Sequence, residues 1–183
     1  MWVAVDSWII EDGRLPAFSR ADRITTDLAI FLPDASDVAV ITEPRHSASL
    51  TDVGAVPRDT HYRVEGRVLD FEQFPNLWLI DAGEAILLPE AMTLPPRPAG
   101  EWVRLQGHIG LSTYGYRTSP GYQSWLVRRI LLQQAPKSAA TGGLLDDLTG
   151  VRETEIDAVQ RWAEHPRHLM TRYVVELVEP RSV

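Results

Sequence analysis

The 183-residue sequence contains no cysteine, which excludes disulfide bonds, thiolate nucleophiles and thiolate metal ligands. It also lacks an apolar run near the roughly 20 residues needed to cross a bilayer. Its beginning has no basic stretch of the signal-peptide kind and meets a charge at Asp6. Hydrophobic residues still make up 44% of the chain, enough for a packed core. These features predict a soluble, cytoplasmic protein without membrane contact, built as one domain or two small ones.

Catalytic and metal-binding motifs are missing as well. The chain has no G-x-S-x-G motif and no glycine-rich phosphate loop followed by lysine. His165 and His168 lie three residues apart, but Pro166 interrupts any helix that would align them as metal ligands. We therefore expect no metal site, no cofactor and no enzymatic activity.

Basic residues are scarce overall and unevenly placed. The net charge is -7, with -5 in residues 1–60, +1 in residues 61–137 and -3 in residues 138–183. An acidic chain disfavours indiscriminate binding to nucleic acids or anionic membranes. The more basic stretch from Arg97 to Lys137 is suited instead to selective contact with an anion.

The middle of the chain has the alternation of β-strands. "HYRVEGRVLDF" and "EWVRLQGHIGL" alternate apolar and polar residues, and "NLWLIDAGEAILLP" is two apolar runs around a turn at Asp81–Gly83. "SWLVRRILLQQ" supplies a fifth strand. Gly66 and Gly107 lie inside the first and fourth strands, where glycine allows the sharp coiling of a barrel corner.

Over residues 60–135 this pattern resembles the OB-fold, a five-stranded Greek-key barrel. The resemblance is one of strand order and implies a binding face rather than a particular activity. "PEAMTLPPRPAG" departs from the pattern, because its four prolines leave little room for the helix that often joins strands three and four. A split barrel or another small β-barrel would give a similar set of strands.

The flanking segments add further elements. "WVAVDSWII" predicts a strand, "TTDLAIFLPDASDVAVITEP" a hairpin around Pro33–Ser36, and "RYVVELVEP" a last strand that pairs with the first. "VRETEIDAVQRWAEHP" predicts a helix, with acidic residues at its start, Pro166 at its end and an apolar stripe of Ile156, Val159, Trp162 and Ala163.

The predicted fold class is thus mainly β with a C-terminal helix: an OB-like five-stranded barrel plus additional strands from the N- and C-terminal segments. The predicted organisation is an N-terminal β segment over residues 1–58, the barrel over 60–137, a linker over 138–150, and a C-terminal helix and strand over 151–183 that pack with 1–58.

The loop "GLSTYGYRTSPGYQSWLVRR" is unusually rich in rings for a loop. In an OB-fold the connection between strands four and five helps to form the binding face. Tyrosine and tryptophan stack on bases or sugars, and the same residues with arginine are enriched at protein interfaces. Packing over the mouth of the barrel is the alternative role for these rings. The predicted binding residues are Tyr114, Tyr116, Arg117, Tyr122 and Arg128.

We therefore expect a non-enzymatic binding or adaptor protein that uses this loop to contact another protein. One alternative is a single-stranded nucleic-acid-binding protein that uses the same face. The other is an acidic immunity or antitoxin-type protein that neutralises a basic partner, which the acidic first 60 residues favour. The sequence fixes no oligomeric state.

Overall fold

The computed structural model describes residues 1–34, 37–51, 60–72, 74, 76–91, 94–112, 119–136, 151–161 and 169–179. These residues are mainly β-structure, and the helix among them is α1 (Ser7–Glu11). The strands in chain order are β1 (Trp2–Asp6), β2 (Phe18–Ser19), β3 (Arg23–Thr26), β4 (Leu28–Phe31), β5 (Val38–Val40), β6 (Ser47–Leu50), β7 (His61–Asp70), β8 (Trp78–Asp81), β9 (Ile86–Glu90), β10 (Trp102–Leu111), β11 (Gln123–Pro136), β12 (Arg152–Ile156), β13 (Ala158–Val159) and β14 (Leu169–Val178).

The described residues divide into two compact units. The barrel unit comprises those within residues 25–51 and 60–124, and the terminal unit comprises those within residues 1–24 and 125–179. In the part of the chain that the structure describes, no helix is long and apolar enough to cross a membrane.

Five strands of the barrel unit form a closed ring. The strands β7, β8 and β9 are an antiparallel meander, and β9 runs parallel to β4. β4 is antiparallel to β10, and β10 returns antiparallel to β7. The result is a closed five-stranded mixed β-barrel, which confirms the small barrel predicted from the strand pattern.

The fifth strand of the ring is not the one that the sequence predicted. The run "SWLVRRILLQQ" lies in β11, which pairs with β12 and β14, and β4 takes its place in the barrel. Leu28, Ala29 and Ile30 of β4 are all fully buried, as expected for a strand covered on both faces. Its parallel partner β9 comes much later in the chain, so no local turn signal marks the pairing.

Two glycines lie where strands of the ring approach most closely. A Cβ atom at Gly66 in β7 would lie 2.1 Å from the carbonyl oxygen of Asp81 in β8. A Cβ atom at Gly107 in β10 would lie 2.3 Å from the carbonyl oxygen of Phe31 in β4. No side chain fits at these distances from a neighbouring backbone, so glycine is required at both positions. This agrees with the barrel-corner role predicted for them.

β5 and β6 extend the wall of the barrel. β5 pairs with residues 103–105 of β10, and β6 pairs with residues 62–65 of β7. The predicted hairpin around Pro33–Ser36 is therefore wrong, since β9 and β10 already occupy the two edges of β4 and leave no edge for β5. Residues 35 and 36 themselves lie outside the described residues.

The terminal unit contains an antiparallel sheet in the order β12-β11-β14-β1 and a separate pair of strands, β2 and β13. The predicted pairing of the first and last strands is confirmed, with Trp2 opposite Glu176 and Ala4 opposite Val174. The predicted first strand is too long. The observed strand ends at Asp6, and the chain then forms α1, which buries Ile9 and Ile10.

The predicted C-terminal helix is wrong. Residues 152–156 form β12 and residues 158–159 form β13, and the rest of the predicted helix from Trp162 on lies outside the described residues. Pairing with β11 explains the difference, because Glu153 lies opposite Gln133 and accepts a hydrogen bond from its Nε2 at 3.0 Å. These cross-strand contacts outweigh the helical spacing of a few apolar residues.

Candidate functional site

The outer surface of the barrel has two walls of different chemistry. Side chains that point inward are apolar on every strand of the ring, among them Ile30, Val64, Ile80, Leu87 and Leu105. The outward-facing side chains of residues 61–67 of β7 and 102–108 of β10, with the adjoining Arg45, His46 and Asp81, form what we call the polar wall. The outward-facing side chains of β4 and β9, with Leu69 of β7, Leu79 of β8 and the described residues of the connection 71–77, form the apolar wall. Gly66 and Gly107 lie at the two seams between the walls.

The polar wall is a series of cross-strand pairs. The register of β7 and β10 sets four pairs of outward side chains directly opposite each other: Trp102 and Arg67, Arg104 and Glu65, Gln106 and Arg63, His108 and His61. Directly opposite residues of antiparallel strands have Cβ atoms about 4.5–5.5 Å apart, so each pair is in contact range. Every outward position along this stretch of both strands is therefore polar or aromatic.

Glu65 is the best-buried charge of the polar wall, with 6% of its side chain exposed. Its Oε1 accepts a hydrogen bond from Nε of Arg104 at 2.7 Å, and its Oε2 lies 3.4 Å from Nε of Arg45. A buried carboxylate is costly to desolvate unless it is paired, and here each oxygen faces its own guanidinium. The three side chains thus form a fixed charged cluster.

Two further pairs of the polar wall are also in contact. With the Gln106 amide oriented so that its oxygen faces Arg63, that oxygen accepts two hydrogen bonds at 3.1 Å from the guanidinium. The rings of His61 and His108, which lie opposite each other in the register of the two strands, meet edge to face with centroids 4.9 Å apart. Nδ1 of His61 is hydrogen-bonded to the hydroxyl of Thr51.

At the other end of the polar wall, an imidazole stacks on an indole. The rings of His46 and Trp102 have centroids 4.8 Å apart, and Nε2 of His46 lies 3.9 Å from a carboxylate oxygen of Asp81. Four arginines (Arg45, Arg63, Arg67 and Arg104) and two carboxylates (Glu65 and Asp81) share this surface. An acidic protein therefore carries a locally basic wall.

The histidines among the described residues do not form a metal site with other ligands. Among the residues that the structure describes, no group of three or more histidine, aspartate or glutamate side chains is arranged to hold a metal ion. His61 and His108 are a pair without a third ligand of this kind nearby. The packing of one imidazole ring against the other accounts for the two histidines on the polar wall.

The apolar wall is a second hydrophobic cluster outside the barrel core. Its buried members are Ala29, Phe71, Leu79 and Leu88, against which Phe31, Leu69, Leu77 and Ile86 pack half-buried. Phe74 continues the cluster into solvent: its ring lies 5.1 Å from that of Phe71, and it is 37% exposed. Apart from Asp81 and Glu90 at their ends, strands β4, β8 and β9 are therefore apolar on both faces.

A groove of about 610 Å³ opens on the apolar wall. Phe31, Leu77, Leu88 and Leu94 contribute apolar surface to it, and its polar side chains are Asn76 and Glu90. Oε1 of Glu90 accepts a hydrogen bond from the hydroxyl of Ser112 at 3.1 Å. No lysine or arginine is among the described residues that line the groove. Such volume and polarity are typical of a site for an apolar group.

The predicted binding residues fall in three places. Tyr114, Tyr116 and Arg117 lie outside the described residues. Tyr122 is half-buried in the barrel unit, and its backbone N–H donates to the carbonyl of Ser119. Arg128 is exposed in the terminal unit, where its Nη1 lies 3.3 Å from a carboxylate oxygen of Glu176. Tyr122 and Arg128 therefore belong to different units.

A β-bulge between Val127 and Arg129 surrounds Arg128. Arg129, the residue after it, donates from Nε and Nη2 to Glu155 at 3.2 and 2.7 Å. The extra residue of a bulge re-aims side chains, so both arginines reach carboxylates of neighbouring strands. The hydrogen bond from Arg129 holds the pKa of Glu155 below its usual value, and the same bond raises the pKa of Arg129.

Sequence reasoning missed both walls as surfaces. The alternation in β7 did place Arg63, Glu65 and Arg67 on one face, but it did not show that Trp102 and Arg104 lie opposite them. The apolar wall depends on β4, whose place in the ring no local pattern indicates.

No protein-family model, no curated protein and no solved structure matches this chain significantly. The geometry of the two walls is thus the basis for assigning a function.

Proposed function

We propose that the chain is a non-enzymatic cytoplasmic binding protein that docks a protein partner on the apolar wall of an OB-like barrel. The observation that carries the proposal is the apolar groove beside the exposed ring of Phe74. Phe74 is among the large apolar side chains that are exposed in the described residues, and an exposed apolar side chain beside an apolar groove is typical of an interaction site.

The ring order supports the OB-like assignment. A meander of three strands is closed by two more, of which one is parallel to the third strand and the other antiparallel to the first. This is the strand order of an OB-fold in which the last strand precedes the first in the chain. OB-folds bind ligands on the face of their second and third strands, which correspond to β8 and β9. That face is the apolar wall.

The chemistry of the groove favours a protein over a nucleic acid. Nucleic-acid sites need cations for the phosphates, and the described lining of the groove has none. Its charged side chain is Glu90, and Glu72 is exposed in the connection between Phe71 and Phe74. With a net charge of -7, the protein attracts a partner that presents apolar side chains flanked by basic residues. Neutralisation of a basic partner fits this description.

Site-specific photo-cross-linking tests the proposal. Asn76, an exposed residue of the groove, is replaced by a photoreactive phenylalanine derivative, and the protein is irradiated in extract of its native host. A second preparation carries the derivative at Arg63 of the polar wall as the matched control. We expect a basic protein to cross-link from position 76 and not from position 63.

The captured protein must then bind in purified form. We expect Leu77→Arg, which puts a cation into the apolar groove, to weaken that binding at least about tenfold, the scale of a lost interface anchor. Arg63→Gln should leave it unchanged, and Asn76→Arg, which adds a cation at an exposed position of the groove without removing apolar packing, should weaken binding while keeping the melting temperature of the parent within a few degrees. Equal capture from both positions, or binding that tolerates Leu77→Arg, would refute docking at this wall.

A further inference from the structure

We infer that Arg45 and Arg104 form a binding pocket for a phosphate group, held in position by the buried carboxylate of Glu65. The pocket is on the polar wall and does not depend on docking at the apolar wall. Its volume is about 280 Å³, which leaves room for a tetrahedral oxyanion.

The donor geometry is the first argument. Each arginine approaches Glu65 through Nε, at 2.7 Å for Arg104 and 3.4 Å for Arg45. The terminal nitrogens of the two guanidiniums make no hydrogen bond to any described residue. Arg104 is thus held by a hydrogen bond and Arg45 by a longer ion pair, and both line the pocket with Nη donors that have no acceptor among the described residues.

The charge arrangement is the second argument. One arginine suffices to neutralise the buried carboxylate of Glu65, so the second guanidinium is opposed within the described lining by the exposed carboxylate of Glu43. The side chains of Arg45 and Arg104 are 69% and 43% exposed, whereas that of Glu65 is 6% exposed. The carboxylate is thus buried beneath the two guanidiniums, which are accessible to solvent. An approaching anion therefore meets the positive charges first.

The lining of the pocket supplies one donor and one opposing charge. Thr42 adds a hydroxyl group, and Glu43 adds an exposed carboxylate that repels an anion. A phosphate has enough oxygens to accept from two guanidiniums and a hydroxyl at once. Glu43 limits the affinity, so its removal should strengthen binding. A purely structural ion-pair cluster would show no such effect.

The test is titration of the full-length protein with inorganic phosphate, followed by the ¹H–¹⁵N signals of the arginine Nε groups. We expect saturable shifts for Arg45 and Arg104 with an affinity in the approximately millimolar range. Arg104→Gln should weaken binding about tenfold or more, the loss expected for a charge-assisted donor. Glu43→Gln should tighten it about fivefold by removing a like charge at the rim.

Arg97→Gln is the control, because Arg97 pairs with Glu101 at 3.3 Å in the same unit without lining the pocket. It should leave the affinity for phosphate unchanged. The absence of saturable shifts, an unchanged affinity in Arg104→Gln, or equal weakening in Arg97→Gln would overturn the inference.

A short oligothymidylate distinguishes the sources of the phosphate. If the group belongs to a single-stranded nucleic acid, the oligonucleotide binds at least about tenfold more tightly than phosphate. Trp102→Ala then removes that gain in affinity, because a stacked base contributes about 1–3 kcal/mol. If the group belongs to a small molecule, the oligonucleotide binds no more tightly than phosphate. Both results support the pocket, provided that Arg104→Gln weakens each ligand.

Discussion

The polar and apolar walls show how one barrel treats its outside in two ways. β7 and β10 present side chains that satisfy each other across the strands, as in the contact of Arg104 with Glu65. β4 and β9 present side chains that bury apolar surface a second time, as in the packing of Ala29 with Leu88. All four strands bury apolar side chains inside the barrel. Whether their outward side chains are polar or apolar depends on which strands are their neighbours in the ring.

The two walls also differ in what they offer a ligand. A surface of paired polar groups gives directional donors in fixed places, which suits a small charged group. A groove of apolar side chains gives non-directional attraction, which suits the side chains of another protein. On our two proposals, the apolar wall binds a protein partner and the polar wall binds a phosphate group.

The seam between the walls should be the most sensitive point. Gly107→Ala places a Cβ atom 2.3 Å from the carbonyl oxygen of Phe31, where no rotamer can relieve the clash. We expect a loss of more than about 3 kcal/mol in the free energy of unfolding, at or above the usual range for overpacking. Urea unfolding with Ser49→Ala as the exposed control measures it. A loss below about 1 kcal/mol would show that β10 and β4 are not in close contact.

Truncation should separate the two walls by their stability. Leu79→Ala removes a side chain that is 1% exposed in the apolar wall, and we expect it to cost about 2–4 kcal/mol in the free energy of unfolding. Arg63→Ala in the polar wall should cost less than about 1 kcal/mol, because its guanidinium is exposed and water can replace Gln106. Equal losses in urea unfolding would contradict the distinction between the walls.

The smallest expected change in stability concerns an ion pair outside the barrel, that of Glu155 with Arg129. Because the pKa of Glu155 is lowered in the folded state, its pair with Arg129 stabilises the protein fully above the ordinary glutamate pKa. That contribution is lost as the pH falls through the folded-state pKa. Glu155→Gln should therefore flatten the decline of the melting temperature slightly between about pH 5 and pH 3. Identical acid limbs in parent and variant would show that the pair does not form in solution.

Much of the barrel follows from local sequence. Alternation over residues 61–70 and 102–111 and the turn at Asp81–Gly83 correctly predict β7, β8, β9 and β10. Gly83 has a positive φ of 86°, and its N–H donates to the Asp81 side chain, so the turn signal has a direct physical cause. These features depend on residues close together in the chain, which is why the sequence reveals them.

The remainder depends on contacts between distant segments. The place of β4 beside β9 is set by a parallel pairing, and the polar wall by the register of β7 with β10. Neither leaves a local signal, because many registers satisfy the same alternation. The false C-terminal helix has the same origin: Glu153 and Thr154 are as compatible with an edge strand as with a helix until the pairing with β11 is known.

Closure of the barrel by β4 is the premise of both walls, and a disulfide tests it directly. The chain has no cysteine, so a variant with Ala29→Cys and Leu88→Cys contains a single pair. These residues are partners in the parallel register of β4 and β9, about 4.8 Å apart at Cα and within disulfide range. We predict that mild oxidation of the folded protein joins them, whereas Ala29→Cys with Ser49→Cys stays reduced. A folded first variant that forms no disulfide would contradict the account.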